Sequence, residues 1–303
     1  MLKVMKIDFP LLLVMVLLAS CKTNSKYKYV EIEPFETPAV ELGDKEWPFT
    51  MYHSASTINW PVVRIKIGES YYHFLVDTGA PSNSFYSKPD PTMSVVKEGN
   101  ARAFGLDTEV NGLMRHISFT DFFANETGFS SDRVDGLIGI DFMSIYDNVV
   151  FDYINRKIIF DAPPISEDDI PMVHEHRSNF LQYIIEFTVD GNKEYGLIDT
   201  GSSVFSVREK FGDGNYPLIK DLNRVIKLDG KPKLENINNF IAQDIHIGSV
   251  RYKESIATPW NSKYLFCMDS SRKFTKYTSV LGSPFWNDHI IQLDFYNDVF
   301  RIK

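Results

Sequence analysis

From Trp60 onward the chain alternates apolar and polar residues with a period of two, the pattern of strands with one buried face. Val62-Val63-Arg64-Ile65-Lys66-Ile67 is the first clear run, Gly68-Glu69 turns it, and the stretch 71–76 returns. The same programme recurs later. Tyr183-Ile184-Ile185-Glu186-Phe187-Thr188-Val189 reads as a strand, Asp190-Gly191-Asn192 as a hairpin turn, and 195–198 as the return. In the less regular middle of each half, Gly99, Gly105 and Gly112, then Asp229-Gly230 and Gly248, punctuate mixed stretches in the manner of hairpins. Each half closes on one more hairpin. In the first, Val149-Val150-Phe151-Asp152-Tyr153 and Lys157-Ile158-Ile159-Phe160 flank Asn155-Arg156; in the second, 290–295 and 299–302 flank Tyr296-Asn297-Asp298. Ile140-Asp141-Phe142-Met143 is the one short helical stretch. The pattern predicts an all-β chain.

Two strand ends stand out. Leu75-Val76-Asp77-Thr78-Gly79 and Leu197-Ile198-Asp199-Thr200-Gly201 both run apolar, apolar, Asp, Thr, Gly, 122 positions apart. Each is followed by a second signature, Leu137-Ile138-Gly139 and Val280-Leu281-Gly282. Later landmarks correspond at offsets of 142 or 143: Phe142 with Phe285, Asp152 with Asp294, Asn155 with Asn297. The second copy therefore holds about twenty extra residues between its Asp and its Leu-Gly, which extend loops rather than the core. One Asp-Thr-Gly is most simply a turn; two, each after an apolar strand and each with its Leu-Gly partner, point to two half-sites meant to meet.

Around this repeat the chain divides into five parts. Residues 1–21 are a leader: Lys3 and Lys6 form a basic start, 11–18 is an apolar run too short to span a bilayer, and Asp8 interrupts it. The leader ends in Leu18-Ala19-Ser20-Cys21, which resembles the lipobox of bacterial lipoproteins and implies lipid on Cys21. Lys22 in place of Asp after that cysteine implies the outer membrane of a bacterial envelope, periplasmic or surface-facing. Residues 22–55, with Pro34, Pro38 and Pro48, read as a tether ending in a strand that adds to the fold. Two lobes follow, 56–163 and 179–303. The linker between them, 164–178, contains Pro164, Pro171 and the acidic run Glu167-Asp168-Asp169, so regular structure is expected to stop there.

Composition narrows the function. The 303 residues are 44% hydrophobic and 24% charged, which is globular. A net charge of -8 lacks the basic stripe of a nucleic-acid binder. With Cys21 lipidated, Cys267 has no partner within the chain, so stability rests on the core. His174-Glu175-His176 lacks the helical spacing of a zinc protease, and Asp213-Gly214-Asn215 lacks the remaining ligands of a calcium loop. No metal and no cofactor are expected.

The paired motifs resemble those of the retropepsin-like and pepsin-like aspartic proteases, over about 60–303, with the Gly-Ile-Asp-Phe context and closing hairpin closer to the retropepsins. The resemblance implies a bilobal all-β fold, two retropepsin-like β-barrel lobes with one short helix each. Both copies lie in one chain, so it implies a monomer with an intramolecular pseudo-dimer. It makes Asp77 and Asp199 the catalytic pair. Two carboxylates close enough to share a proton cannot both ionise, and one then activates water while the other supports the developing oxyanion. Thr78 and Thr200 would each reach across to the opposite loop. Gly79 and Gly201 would permit the tight turns, and Gly139 and Gly282 the close packing of the strand beside each loop. Ser202 follows the second glycine where Ala80 follows the first, so a serine hydroxyl is expected to lower Asp199 and leave Asp77 with the higher proton affinity. The segments Phe104-Gly105-Leu106 and Leu228-Asp229-Gly230 are the flap candidates. The implied function is a membrane-anchored endopeptidase acting on protein or peptide substrates; the alternative is a non-catalytic envelope lipoprotein that holds an extended peptide by strand addition.

Overall fold

The computed structural model describes residues 37–53, 59–86, 90–98, 101–121, 134–177, 180–202, 205–208, 218–219, 223–228, 231–236, 239–260 and 278–303. The leader with Cys21, the start of the tether, Asp213-Gly214-Asn215, Gly230 and Cys267 lie outside them. The chain is all-β. No helix among the described residues is long and apolar enough to cross a membrane.

The first half comprises β1 (Glu46–His53), β2 (Asn59–Ile67), β3 (Ser70–Val76), β4 (Ser84–Phe85), β5 (Ser94–Glu98), β6 (Ala101–Val110), β7 (Leu113–Asp121), β8 (Gly136–Ile138), the four-residue helix α1 (Ile140–Met143), β9 (Asn148–Asp152) and β10 (Lys157–Phe160). The second half comprises β11 (Ile170–Arg177), β12 (Phe180–Val189), β13 (Asn192–Ile198), β14 (Phe205–Arg208), β15 (Leu218–Ile219), β16 (Asn223–Leu228), β17 (Lys231–Asn236), β18 (Asn239–Ile247), β19 (Val250–Trp260), β20 (Ser279–Leu281), β21 (Ile290–Asp294) and β22 (Val299–Ile302). Where α1 has its counterpart, the second half has a single 3-10 turn, Ser283–Phe285, with Pro284 inside it; three residues are too few to close an α-helical ladder. The expectation of one short helix in each half is corrected to that extent.

Six strands of the second half close a barrel, in the order β12, β13, β20, β14, β19, β18 and back to β12. The first half repeats the order as β2, β3, β8, β4, β7, β6, but no β6–β2 ladder is present among the described residues. The gap is bridged by the segment before β1. Val40 pairs in parallel with Ile65, bonding Arg64 O and Lys66 N at 2.9 and 2.8 Å, and Gly43 lies so close to the Glu109 carbonyl that a side chain would not fit.

The closing hairpins do not stay within their own halves. Strands β1, β10 and β9 from the first half and β21, β22 and β11 from the second form one sheet in that order, joined by β9–β21. Val150 pairs with Gln292, its equivalent at the 142-residue offset, and Asp152–Ile290 mirrors Asn148–Asp294. An approximate two-fold axis therefore passes between Val150 and Gln292. One sheet face buries Trp47, Phe151, Phe160, Ile291, Leu293 and Phe300, all at most 1% exposed. Burying a ring of this size stabilises the fold by roughly 2–3 kcal/mol relative to exposure.

The stretch 161–169 crosses the other face of this sheet. Ile165 N donates to Gln292 Oε1 at 3.0 Å, Gln292 Nε2 donates to the Pro163 carbonyl at 3.4 Å, and Arg301 Nε donates to Asp169 at 2.6 Å. Regular structure resumes at Ile170, not after 178 as the prolines suggested. Pro171 opens β11 at the edge of the shared sheet, where a missing N–H costs no ladder bond. His174, Glu175 and His176 are therefore strand residues rather than linker.

Candidate functional site

Both Asp-Thr-Gly triplets leave their strands in the same way. Asp77 N donates to Ile138 O at 2.9 Å, and Asp199 N to Leu281 O at 3.1 Å, so the Leu-Gly signatures hold the aspartates in place. After each glycine the chain is tied back once more: Ile140 N donates to Ala80 O at 2.9 Å and Ser283 N to Ser202 O at 2.7 Å.

The two triplets grip each other. Thr78 Oγ1 donates to Ile198 O at 2.8 Å and accepts from Thr200 N at 3.0 Å. Thr200 Oγ1 donates to Val76 O at 2.9 Å and accepts from Thr78 N at 3.0 Å. These four reciprocal bonds are buried, and they fix each triplet against the strand that carries the other.

The grip brings the carboxyl groups together. Asp77 and Asp199 are 6% and 5% exposed and share a side-chain hydrogen bond. A methyl group on Gly79 would strike the Asp199 carboxylate, and one on Gly201 the Asp77 carboxylate, so only glycine fits at either position. Gly139 is similarly confined, 2.6 Å from the Ser82 carbonyl at its missing Cβ. Gly282 occupies the equivalent step from β20 into the 3-10 turn.

No family model matches the chain, and no curated protein matches it in sequence. The chemistry is therefore read from the geometry itself.

Burial raises both carboxyl pKa values above the ordinary one, and at Asp199 the Asp77 charge adds to it, so Asp199 is raised more. The hydrogen bonds explain the order. Asp77 Oδ1 accepts from Gly79 N at 2.8 Å and Ala80 N at 3.2 Å, whereas Asp199 Oδ1 has no donor among the described residues. The proton thus rests on the Asp199 side, the reverse of the expectation from Ala80 and Ser202. Backbone donors to Asp77 decide the asymmetry, and these are not visible as residue types. The pair can hold one proton between a donor and an acceptor, the requirement for acid and base acting together on one substrate.

Asn83 was not singled out in the sequence, yet it positions the site. Its Oδ1 accepts from Gly139 N at 2.9 Å and its Nδ2 donates to Ser118 O at 3.2 Å. Its only sequence signal is its place shortly after the turn. Tyr86 and Tyr153 are also buried near the pair. Burial, then the charge of Asp77 at Tyr86 and of Asp199 at Tyr153, pushes their hydroxyls far above the ordinary range, so both stay protonated.

The flap candidates divide. Gly105 lies within β6, opposite Ser94 and Ser118, not at a turn; a Cβ there would meet the His116 ring, which is why glycine stands there. The hairpin ends lie elsewhere, at the Glu98–Ala101 pair of β5–β6 and the Leu228–Lys231 pair of β16–β17. Gly230 belongs to the second junction, outside the described residues. No cluster of three or more His, Cys, Asp or Glu among the described residues has the arrangement of a metal site.

Proposed function

We propose that the chain is an aspartic endopeptidase of the retropepsin-like type, with two lobes, 56–163 and 179–303, each supplying one catalytic carboxylate. The reciprocal threonine bonds, which press two otherwise repelling carboxyls together, are the observation that carries this reading. Asp77, the better solvated by backbone N–H groups, acts as the base. It takes a proton from a water molecule, whose oxygen attacks the scissile carbonyl. Asp199, bearing the shared proton, donates it to the carbonyl oxygen as that oxygen becomes negative. Collapse of the tetrahedral species expels the amine, which takes the proton now on Asp77, and Asp199 recovers its own from the gem-diol hydroxyl. No covalent enzyme intermediate forms. Gly79, Gly201, Thr78, Thr200, Asn83 and Gly139 hold the geometry.

Cleavage of a peptide library, blocked by a statine-type inhibitor and abolished by Asp77→Asn and by Asp199→Asn, is the test. Turnover surviving either substitution rules the dyad out. Binding without turnover, unchanged by both, means a non-catalytic peptide-binding lipoprotein instead. The envelope location rests on the lipobox alone. Labelling of cells with an alkyne fatty acid should mark the protein and fail to mark Cys21→Ala.

A further inference from the structure

Two hairpins, β1–β2 and β11–β12, match one another and outrun the strands that carry the aspartates. The last β2–β3 pair is Val62–Leu75, and the last β12–β13 pair is Ile184–Leu197. Past these points β2 continues through Pro61, Trp60 and Asn59 paired with β1, and β12 through Tyr183, Gln182, Leu181 and Phe180 paired with β11. Both continuations run in the direction in which β3 and β13 lead to Asp77 and Asp199. Three residues at strand rise place Asn59 and Leu181 about 10 Å beyond the last pair. Each aspartate lies two residues beyond it, so the hairpin ends stand level with the dyad.

The residue opposite Asn59 is His53, and the residue opposite Leu181 is His176. Asn59 and Leu181 are separated by the same 122 positions as the two aspartates, so the histidines occupy the same place in the two hairpins. In the period-two register, His53 continues the face of Phe49 and Met51, and His176 that of Met172 and His174. Lower down this face is buried, and Phe49 meets Tyr153 edge-on at 5.5 Å. Tyr153 feels the charge of both aspartates, so the Phe49 face is the one turned toward the space between the halves.

Few charges compete there. Beside His53 the paired residues are Tyr52, Trp60 and Asn59, and the connecting residues 54–58 are Ser, Ala, Ser, Thr and Ile. Beside His176, Glu175 and Arg177 occupy the alternate register positions, opposite Gln182 and Phe180. The other ionisable groups toward which these hairpins run are Asp77 and Asp199.

We propose that His53 and His176 anchor two matching subsites for carboxylate side chains, so that the protein selects extended acidic peptides with Asp or Glu on both sides of the cleaved bond. The proposal rests on the peptidase reading above. An imidazole with an ordinary pKa near 6.5 is cationic at the mildly acidic pH at which a pair sharing one proton works. The chain carries a net charge of -8, so an acidic peptide needs local cations at the cleft to be held at all.

The test uses the full chain and fluorescent decapeptides in which Glu or Gln is stepped through four positions on each side of the cleaved bond. Binding is read by anisotropy and cleavage by fluorescence. At pH 5.5, Glu at one position on each side should tighten binding and raise kcat/KM over Gln by about fivefold, mainly through KM, the factor expected of a partly exposed ion pair. The preference should vanish at pH 8. His53→Ala should lose it on one side only and His176→Ala on the other, while His53→Lys and His176→Lys should retain it at pH 8. Equal affinity for Glu and Gln at pH 5.5, a preference that survives both alanine variants, or lysine variants with none at pH 8 would each overturn the proposal. Failure to cleave any peptide overturns the peptidase reading instead, and the anisotropy comparison still decides the subsites.

Discussion

Thr78→Val tests the grip without touching either carboxyl. Valine keeps the shape of threonine and deletes the hydroxyl. The Ile198 carbonyl loses its 2.8 Å donor and the Thr200 N–H loses its 3.0 Å acceptor, both in a buried place that water does not reach. Each such orphan costs about 1–3 kcal/mol, so the pair should cost about 3–4 kcal/mol. That is a large part of a total stability of ~5–15 kcal/mol but leaves the chain folded. At roughly 2–4 °C per kcal/mol for a chain of this size, the midpoint of thermal unfolding should drop by about 6–14 °C. Thr78→Ser keeps the hydroxyl and should cost about 1 kcal/mol. The double variant Thr78→Val, Thr200→Val should lose less than the sum of the singles, because breaking one half of the grip admits water to the other. Calorimetry on the four proteins decides the matter. A Thr78→Val midpoint within about 1 °C of the parent, or a serine variant as weak as the valine one, refutes the reasoning.

Three further outcomes are expected. Both dyad carboxyls are raised, chiefly by burial, so the folded chain keeps a proton where the unfolded chain, with carboxyls near 3.8, has lost it; stability should therefore fall as pH rises through the folded values. Asp199→Asn should flatten that fall and be more stable than the parent at pH 7, as thermal melts across pH 4–8 would show; a variant less stable at pH 7 contradicts this. Gly201→Ala drives a methyl into the Asp77 carboxylate and should abolish turnover while costing about 1–3 kcal/mol in denaturant titration. Arg301→Gln removes the guanidinium that bonds Asp294, Gln292 and Asp169 and should cost about 3 kcal/mol at pH 7. Burial would push Asp294 up, but its Asn297 and Arg301 partners hold it below the ordinary carboxyl value, so this contribution is present at neutral pH and lost as pH falls; a penalty that is unchanged at pH 3 speaks against it.

Much of the fold was legible because strands and tight turns are local. Asp190 and Gly191 take φ of +50° and +72°, and Gly68, Arg156 and Asp298 take +60°, +59° and +54°, at or next to the turns read from the sequence. The aspartates, threonines and glycines were legible because the motif is written twice. What stayed hidden depends on contacts distant in sequence. The closing hairpins read as the end of each half, yet β9 pairs with β21, which no period-two pattern can announce. The prolines of 162–177 marked a linker correctly as far as Asp169, and Pro171 misled because an edge strand tolerates it. The Asp77–Asp199 asymmetry turns on backbone N–H direction, so counting a serine against an alanine gave the wrong side.

The axis through the shared sheet falls between Val150 and Gln292. In an assembly of two identical chains, one residue type would have to serve on both sides of such an axis: two valines leaving nothing polar, or two glutamines competing for the same partners. A single chain escapes that restriction. Here a lone glutamine sits at the centre, and its amide is engaged by Asn148, Ile165, Pro163 and Arg301, a set of partners with no mirror image. The crossing stretch 161–169 can dock in one direction only. The two halves can thus drift apart in sequence, and in the tasks given to each carboxylate, while their relative orientation stays fixed from below.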